Sequence, residues 1–215
     1  MPALANPCQE PSTMFKKLAS EALGLSDIGA IIQPKDYGSV DADDYLFHED
    51  GERIFFLIKS RKDEYCFTNL ALIHVDGESA VSSKRAIKRY DYASKPVAGV
   101  TLETAGTLDM DMELKFSIGG VSFSIDVRKN FAEQVKDIYK ALITIGKLQH
   151  HDEVCRGNAL NALNATVSAY KLNSSTPGES LAGQFTDVLR SLNHAVLQEY
   201  TRRDFTEVFE KYIHV

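Results

Sequence analysis

Two alternating stretches near the middle of the chain set its architecture. Leu108, Met110, Met112, Leu114, Phe116 and Ile118 recur at every second position, and beyond Gly119 and Gly120 so do Val121, Phe123, Ile125 and Val127. A period of two puts each set on one face of a β-strand, and adjacent glycines accept the positive φ of a two-residue hairpin turn. Upstream, short runs rich in Ile, Phe, Tyr, Val and Thr are broken by Gly, Asp, Ser and Lys. They predict antiparallel strands near 54–59, 64–68, 70–75, 84–92 and 97–103, ahead of the alternating pair at 108–118 and 121–127.

After the seventh strand the period becomes helical. Phe131, Val135, Ile138, Leu142 and Ile145 share one stripe, with Asn130 placed as N-cap, Glu133 three residues on, and Gly146 as the expected stop. Leu160, Leu163, Val167 and Tyr170 stripe a further helix, and Leu181, Phe185, Val188, Leu192 and Val196 another, with the loop "NSSTPGES" between them. A last short helix carries Asp204 as N-cap, Glu207 at its third position, and Phe205, Val208, Phe209, Tyr212 and Ile213 as its apolar stripe. Apolar stripes on helices beyond a completed sheet need another helix, the sheet or a second subunit to pack on.

The order of elements predicts an α+β chain: a seven-stranded antiparallel barrel capped by one helix, then a helical hairpin or bundle. Its expected divisions are a loose tail at 1–13, a short helix and irregular lead-in at 14–50, the sheet domain at 51–147 and a helical extension at 148–215. A length of 215 residues suffices for one large domain or for a domain with an appendage.

Composition narrows the function. With 44% hydrophobic and 25% charged residues the chain is an ordinary globular one, and a formal charge of −6 argues against broad attraction to nucleic acid or an anionic membrane. Cys8, Cys66 and Cys155 are odd in number and far apart, and read as free thiols of a reducing compartment. No apolar run approaches the roughly 20 residues of a membrane span, and the first residues lack a signal-type apolar core, so a cytoplasmic location is expected. Phosphate-binding loops, nucleophile elbows, zincin helices and dinucleotide fingerprints are all absent from the sequence.

The stretches "FTNLALIHVD" (67–76) and "LETAGTLDMDMELKF" (102–116) resemble the two signature segments of the bacterial pleckstrin-homology-like (PH-like) domain, over about 100 residues from Glu52 to Gly146. The helical remainder resembles the YvbH-type oligomerisation extension. That likeness implies a PH-like barrel, no catalytic activity, no cofactor, and a homo-oligomer or another protein as partner. It departs from the pattern at "AVSSKRAIKRYDY", where glycine or lysine is usual.

Two clusters remain as candidate sites. Asp109, Asp111 and Glu113 alternate with the apolar face and point outward, about 7 Å from one to the next. A glycosidase pair needs facing carboxylates across a cleft and calcium needs converging oxygens, so the row reads as a solvent-facing or subunit-facing edge suited to assembly. Lys84, Arg85, Lys88 and Arg89 form the strongest basic cluster, split by strand geometry into Lys84 with Lys88 and Arg85 with Arg89. Convergence with Lys59, Arg61 and Lys62 would make an anionic-lipid site, the alternative to an assembly module; membrane contact is otherwise expected to be weak. His151 and Cys155 sit four apart behind His150 and ahead of nothing that completes a ligand set, and no metal or nucleic-acid partner is expected.

Overall fold

The computed structural model describes residues 27–77, 85–104, 111–172 and 181–214. Strands β1 (Ala30–Ile31), β2 (Ile54–Lys59), β3 (Asp63–Thr68), β4 (Ala71–Gly77) and β5 (Arg85–Asp91) make a five-stranded antiparallel sheet in that order. Strands β6 (Val97–Thr104), β7 (Asp111–Ile118) and β8 (Val121–Arg128) make a three-stranded one. Each of the seven expected strands is present, and β1 is an addition too short for periodicity to reveal. The expected lead-in helix and tail, and the loop "NSSTPGES", lie outside the described residues.

The β7–β8 hairpin shows why alternation works. Every second residue of β7 is buried, Leu114 stands opposite Ile125 and Phe116 opposite Phe123, and Gly119 and Gly120 make the turn at φ of 59° and 83°. Stacked rings of Phe116 and Phe123, 4.9 Å apart, carry that pairing into the core between the sheets.

The closed seven-stranded barrel is corrected to two sheets that meet at one corner. There the backbone of Gly29 bonds to Asp126 and Arg128 of β8, at 2.7 and 3.0 Å. At the other corner β5 and β6 are not paired, because the chain turns away through 92–96 and Pro96 has no N–H to offer. A helix side chain does the work of the missing ladder. The Gln149 amide donates to the carbonyls of Tyr92 (2.6 Å) and Lys95 (3.1 Å) and accepts from the N–H of Val97 (2.8 Å).

The five-stranded sheet is covered on both faces. Residues 34–50 fold as three 3-10 turns, Pro34–Ser39, Asp41–Tyr45 and His48–Asp50, across its outer side. Val40, Ala42 and Leu46 from this flap pack on Leu57, Cys66, Ile73 and Val75, forming a second core separate from the one between the sheets. Cys66 lies within it, and burial pushes its thiol well above the usual range, out of reach as a nucleophile.

The capping helix α1 (Ala132–Leu172) follows a 3-10 turn, Lys129–Phe131, which takes in the expected N-cap Asn130. It runs through Gly146, which corrects the expected stop. A Cβ at Gly146 would lie 2.6 Å from the carbonyl oxygen of Val97. The missing side chain therefore lets the helix touch β6, and its packing is the reason glycine occupies a helix interior. Val135, Ile138, Ala141, Leu142 and Ile145 are fully buried against the sheets.

Beyond Gln149 the helix leaves the core. At about 1.5 Å per residue its 41 residues span roughly 60 Å, more than the sheets can cover. Helix α2 (Leu181–His194) and a π-turn, Ala195–Glu199, run back beside it, with Arg156 reaching Thr201 at 3.4 Å. Helix α3 (Thr206–Tyr212) then returns to the sheets.

Candidate functional site

The basic strand is occupied by acids drawn from distant parts of the chain. Arg89 holds Glu52 through two bonds of 2.9 and 3.0 Å, bonds Asp91 at 2.6 Å and lies 4.8 Å over the ring of Phe47. Arg85 pairs with Asp41 at 3.4 Å and donates to the carbonyl of Lys62, while Lys88 pairs with Asp76 at 2.7 Å. Lys59 is engaged by Glu64. Lys84 lies outside the described residues. The strand therefore sends Arg85 and Arg89 toward the flap and Lys88 toward β4, and each described member of the cluster has a carboxylate partner.

Glu52 and Glu64 are functional residues of the fold that sequence reading passes over. Both are buried, at 2% and 1% exposure, which demands compensation for their charge. Glu64 accepts from the backbone N–H of Asp41 (3.3 Å) and Ala42 (2.9 Å), tying the flap to β3. Glu52 accepts from the N–H of Phe47 at 2.8 Å and lies 2.6 Å from the Thr68 hydroxyl. Neither opens onto a cleft; their partners account for them as joints.

Phe67, Thr68 and Asn69 form a second joint. Phe67 fills the core, and the Thr68 oxygen accepts from the N–H groups of Leu70 and Ala71, at 3.1 and 2.9 Å, to shape the β3–β4 turn. Asn69 accepts from the N–H of Arg53 (2.9 Å) and donates to Asp204 (2.9 Å), while its carbonyl receives the N–H of Phe205 (2.9 Å). Asp204 in turn accepts from the N–H of Thr206 at 2.7 Å, but the N-cap of the last helix is Phe205, one residue beyond the expected Asp204. Below this lock Phe205 and Phe209 are fully buried, Phe209 stacking on Phe55 at 5.2 Å and Phe205 meeting the edge of Tyr92 at 5.7 Å. The surface that takes the last helix is thus the sheet domain itself.

The acidic row lies on the outer face of the three-stranded sheet. Asp109 is outside the described residues; Asp111 and Glu113 are half-buried on β7. Glu113 stands opposite Glu103 on β6 and Asp126 on β8, a run of like charges across three strands. Lys115 relieves it by pairing with both Glu103 and Glu113 at 2.9 Å, and the Ser124 hydroxyl donates to Glu113. At Asp126, burial and then the charges of Glu113 and Asp111 outweigh the opposing charge of Lys115 and raise the pKa of its carboxyl. A carboxyl raised on folding stabilises when protonated and loses that contribution as pH rises through its folded value. Asp126→Asn is expected to raise the melting temperature at neutral pH, with the gain shrinking as pH falls through the raised pKa of the wild-type carboxyl. Thermal melts across that range check the sign.

His151 and Cys155 approach to 3.6 Å one helical turn apart, and among the described residues no group of three metal-ligating side chains exists. No described helix is long and apolar enough to cross a membrane.

The arm formed by α1 beyond Gln149 and by α2 differs from everything before it. From His150 to Glu199 no residue whose exposure is described is buried. Val154, Leu160, Phe185, Leu189 and Leu197 are instead exposed, Phe185 and Leu197 by about 60%. A pair of helices has only one mutual seam, so apolar positions outside it stay wet unless something covers them.

Comparison with known proteins resolves both halves. The bacterial PH domain profile matches residues 22–146, and the YvbH-like oligomerisation region profile matches 159–214. The chain belongs to the bacterial PH domain family. The PH domain accounts for the two sheets and the capping part of α1, and the second match coincides with the arm and α3. The chain is 49% identical over 204 residues to the uncharacterized protein YvbH of Bacillus subtilis (strain 168), covering 93% of this chain and 99% of that one. It is 33% identical over 98 residues to the uncharacterized protein YjqA of the same organism, covering 45% and 76%. A crystal structure of a PH-domain-containing bacterial protein from Exiguobacterium sibiricum 255-15 is similar with a TM-score of 0.77 at 44% identity, covering 87% of this chain and all of that one.

Proposed function

We propose that the protein is a non-enzymatic PH-like interaction module that assembles with copies of itself through the arm. The observation that carries this reading is the stretch from His150 to Glu199, which holds large exposed apolar side chains and no buried residue among those whose exposure is described. Exposing Phe185, Leu189, Leu160 and Leu197 together forfeits hydrophobic stabilisation that a second copy would restore. The match of an oligomerisation region to the same residues supports it.

The alternative of an anionic-lipid site draws less support. Arg85, Lys88 and Arg89 already bond Asp41, Asp76 and Glu52, and releasing Arg89 to a headgroup would leave Glu52 charged and buried without its cation. The row of Asp109, Asp111 and Glu113 fits assembly in a secondary way, as an outward charge pattern that selects a basic neighbour and rejects wrong registers.

Light scattering coupled to gel filtration tests the proposal. The Phe185→Asp, Leu189→Asp double variant is expected to fall to monomer mass while still folding cooperatively, because both side chains are exposed in the single chain. Lysine at Asp111 and Glu113 is expected to change the size distribution more mildly. An unchanged mass for the double variant contradicts the arm as the assembly element.

A further inference from the structure

We infer that the arm is two-sided, an apolar ridge on one face and a small-residue groove on the other, and that the ridge of one copy seats in the groove of the next. This rests on the reading of the arm as the self-association element and specifies how it associates.

The groove is an open hollow of about 370 Å³ between α1 and α2. Its floor is Leu163, Val188 and Leu192, all half-buried, and its walls include Ala162, Thr166 and Ser191, all exposed and short. The hollow opens to solvent, and its lining is apolar or small apart from Asp187, so it offers a shallow seat of mainly apolar character.

The ridge falls on the opposite face by helix geometry. At about 100° per residue, Phe185 and Leu189 lie about 60° and 100° to one side of Val188, while Ser191 and Asp187 lie about 60° and 100° to the other. On α1, Leu160 lies about 60° to one side of Leu163, and Thr166 and Ala162 about 60° and 100° to the other. The chain reverses between Leu172 and Leu181, so the helices run antiparallel, and the same rotational sense on both leads to the same face. Leu160, Phe185 and Leu189 therefore share the face turned away from the groove, and none of the three lines it.

A knob on one side and a hole on the other cannot satisfy each other within a two-fold pair that uses one face. Each copy presents a ridge to one neighbour and a groove to a second, which makes the contact head-to-tail and the product a closed ring or an open filament. The occupant of the groove is accordingly a second copy of this chain.

The test is complementation by native mass spectrometry on full-length protein. A ridge variant, Phe185→Asp with Leu189→Asp, and a groove variant, Ala162→Arg with Ser191→Arg, alter exposed positions, and circular dichroism melts verify that each is folded. If Phe185→Asp perturbs folding, Leu160→Asp replaces it. Each variant alone is expected to associate about 30-fold or more weakly than wild type and to appear at 23.9 kDa. Mixed in equal amounts they retain one intact ridge and one intact groove, and a heterodimer at twice that mass is expected, with nothing larger. Wild-type assembly with no heterodimer in the mixture, or with a groove variant that still assembles, overturns the ridge-and-groove contact and leaves the arm as the assembly element. A wild type that stays at 23.9 kDa overturns both.

Discussion

Phe209→Ala is expected to cost about 3–5 kcal/mol, in the range of other buried phenylalanines cut back to alanine. Phe209 is fully buried, stacks on Phe55 at 5.2 Å and lies 6.3 Å from the Tyr92 ring, so its removal empties a site bounded by β2, the β5–β6 corner and α1. For a chain of this length such a loss lowers the melting temperature by roughly 6–20 °C. The same reasoning applies to truncation. A chain ending at Gly146 keeps every strand, yet it removes Phe205, Val208 and Phe209 from the core and Asp204 from its bond to Asn69. It also deletes Gln149, which occupies the unpaired corner. The truncated chain is expected to be far less stable than the full one, as read by urea denaturation, and the exposed core would associate nonspecifically. A truncated form as stable as the full chain would refute the structural role of α3.

The second large effect is expected at Glu64. Replacing it with alanine leaves the Lys59 ammonium without its buried partner and two flap N–H groups, of Asp41 and Ala42, without an acceptor. Breaking one side of a buried ion pair costs about 3–5 kcal/mol, whereas Glu64→Met combined with Lys59→Met removes both charges and is expected to cost far less. Glu64→Gln keeps an acceptor and falls between. Comparing the three by urea midpoints separates an uncompensated charge from the losses both variants share, packing and the two flap N–H bonds, and equal losses for the single and double variants would show that the charge contributes nothing.

The legible part of the fold is the part that obeys a single period. β7 buries every second residue, and α1 up to Ile145 buries one stripe, so both follow from the apolar spacing alone. The flap at 34–50 does not, because three short 3-10 turns repeat too little to show a period and are held by carboxylates from elsewhere in the chain. Gly146 misleads for a related reason. Glycine after an apolar stripe reads as a helix end, and only the approach of β6 explains it as a contact. The basic strand shows the same limit at the level of a site. Arg85, Lys88 and Arg89 cluster in sequence, while their acids at Asp41, Asp76 and Glu52 are brought to them by folding. In the arm the apolar stripe of Phe185, Val188 and Leu192 is plain in the sequence, but which of its members meets α1 and which meets solvent is a property of packing. Val188 and Leu192 line the seam and Phe185 faces out.

The division of labour that results is a sheet domain latched shut by its own last helix and an arm that leaves Leu160, Phe185, Leu189 and Leu197 exposed. Sedimentation equilibrium of the unmodified full chain over a range of concentrations tests it most directly. The weight-average mass is predicted to rise well above 23.9 kDa, the mass of a single chain. A mass that stays at 23.9 kDa at every concentration would contradict the account.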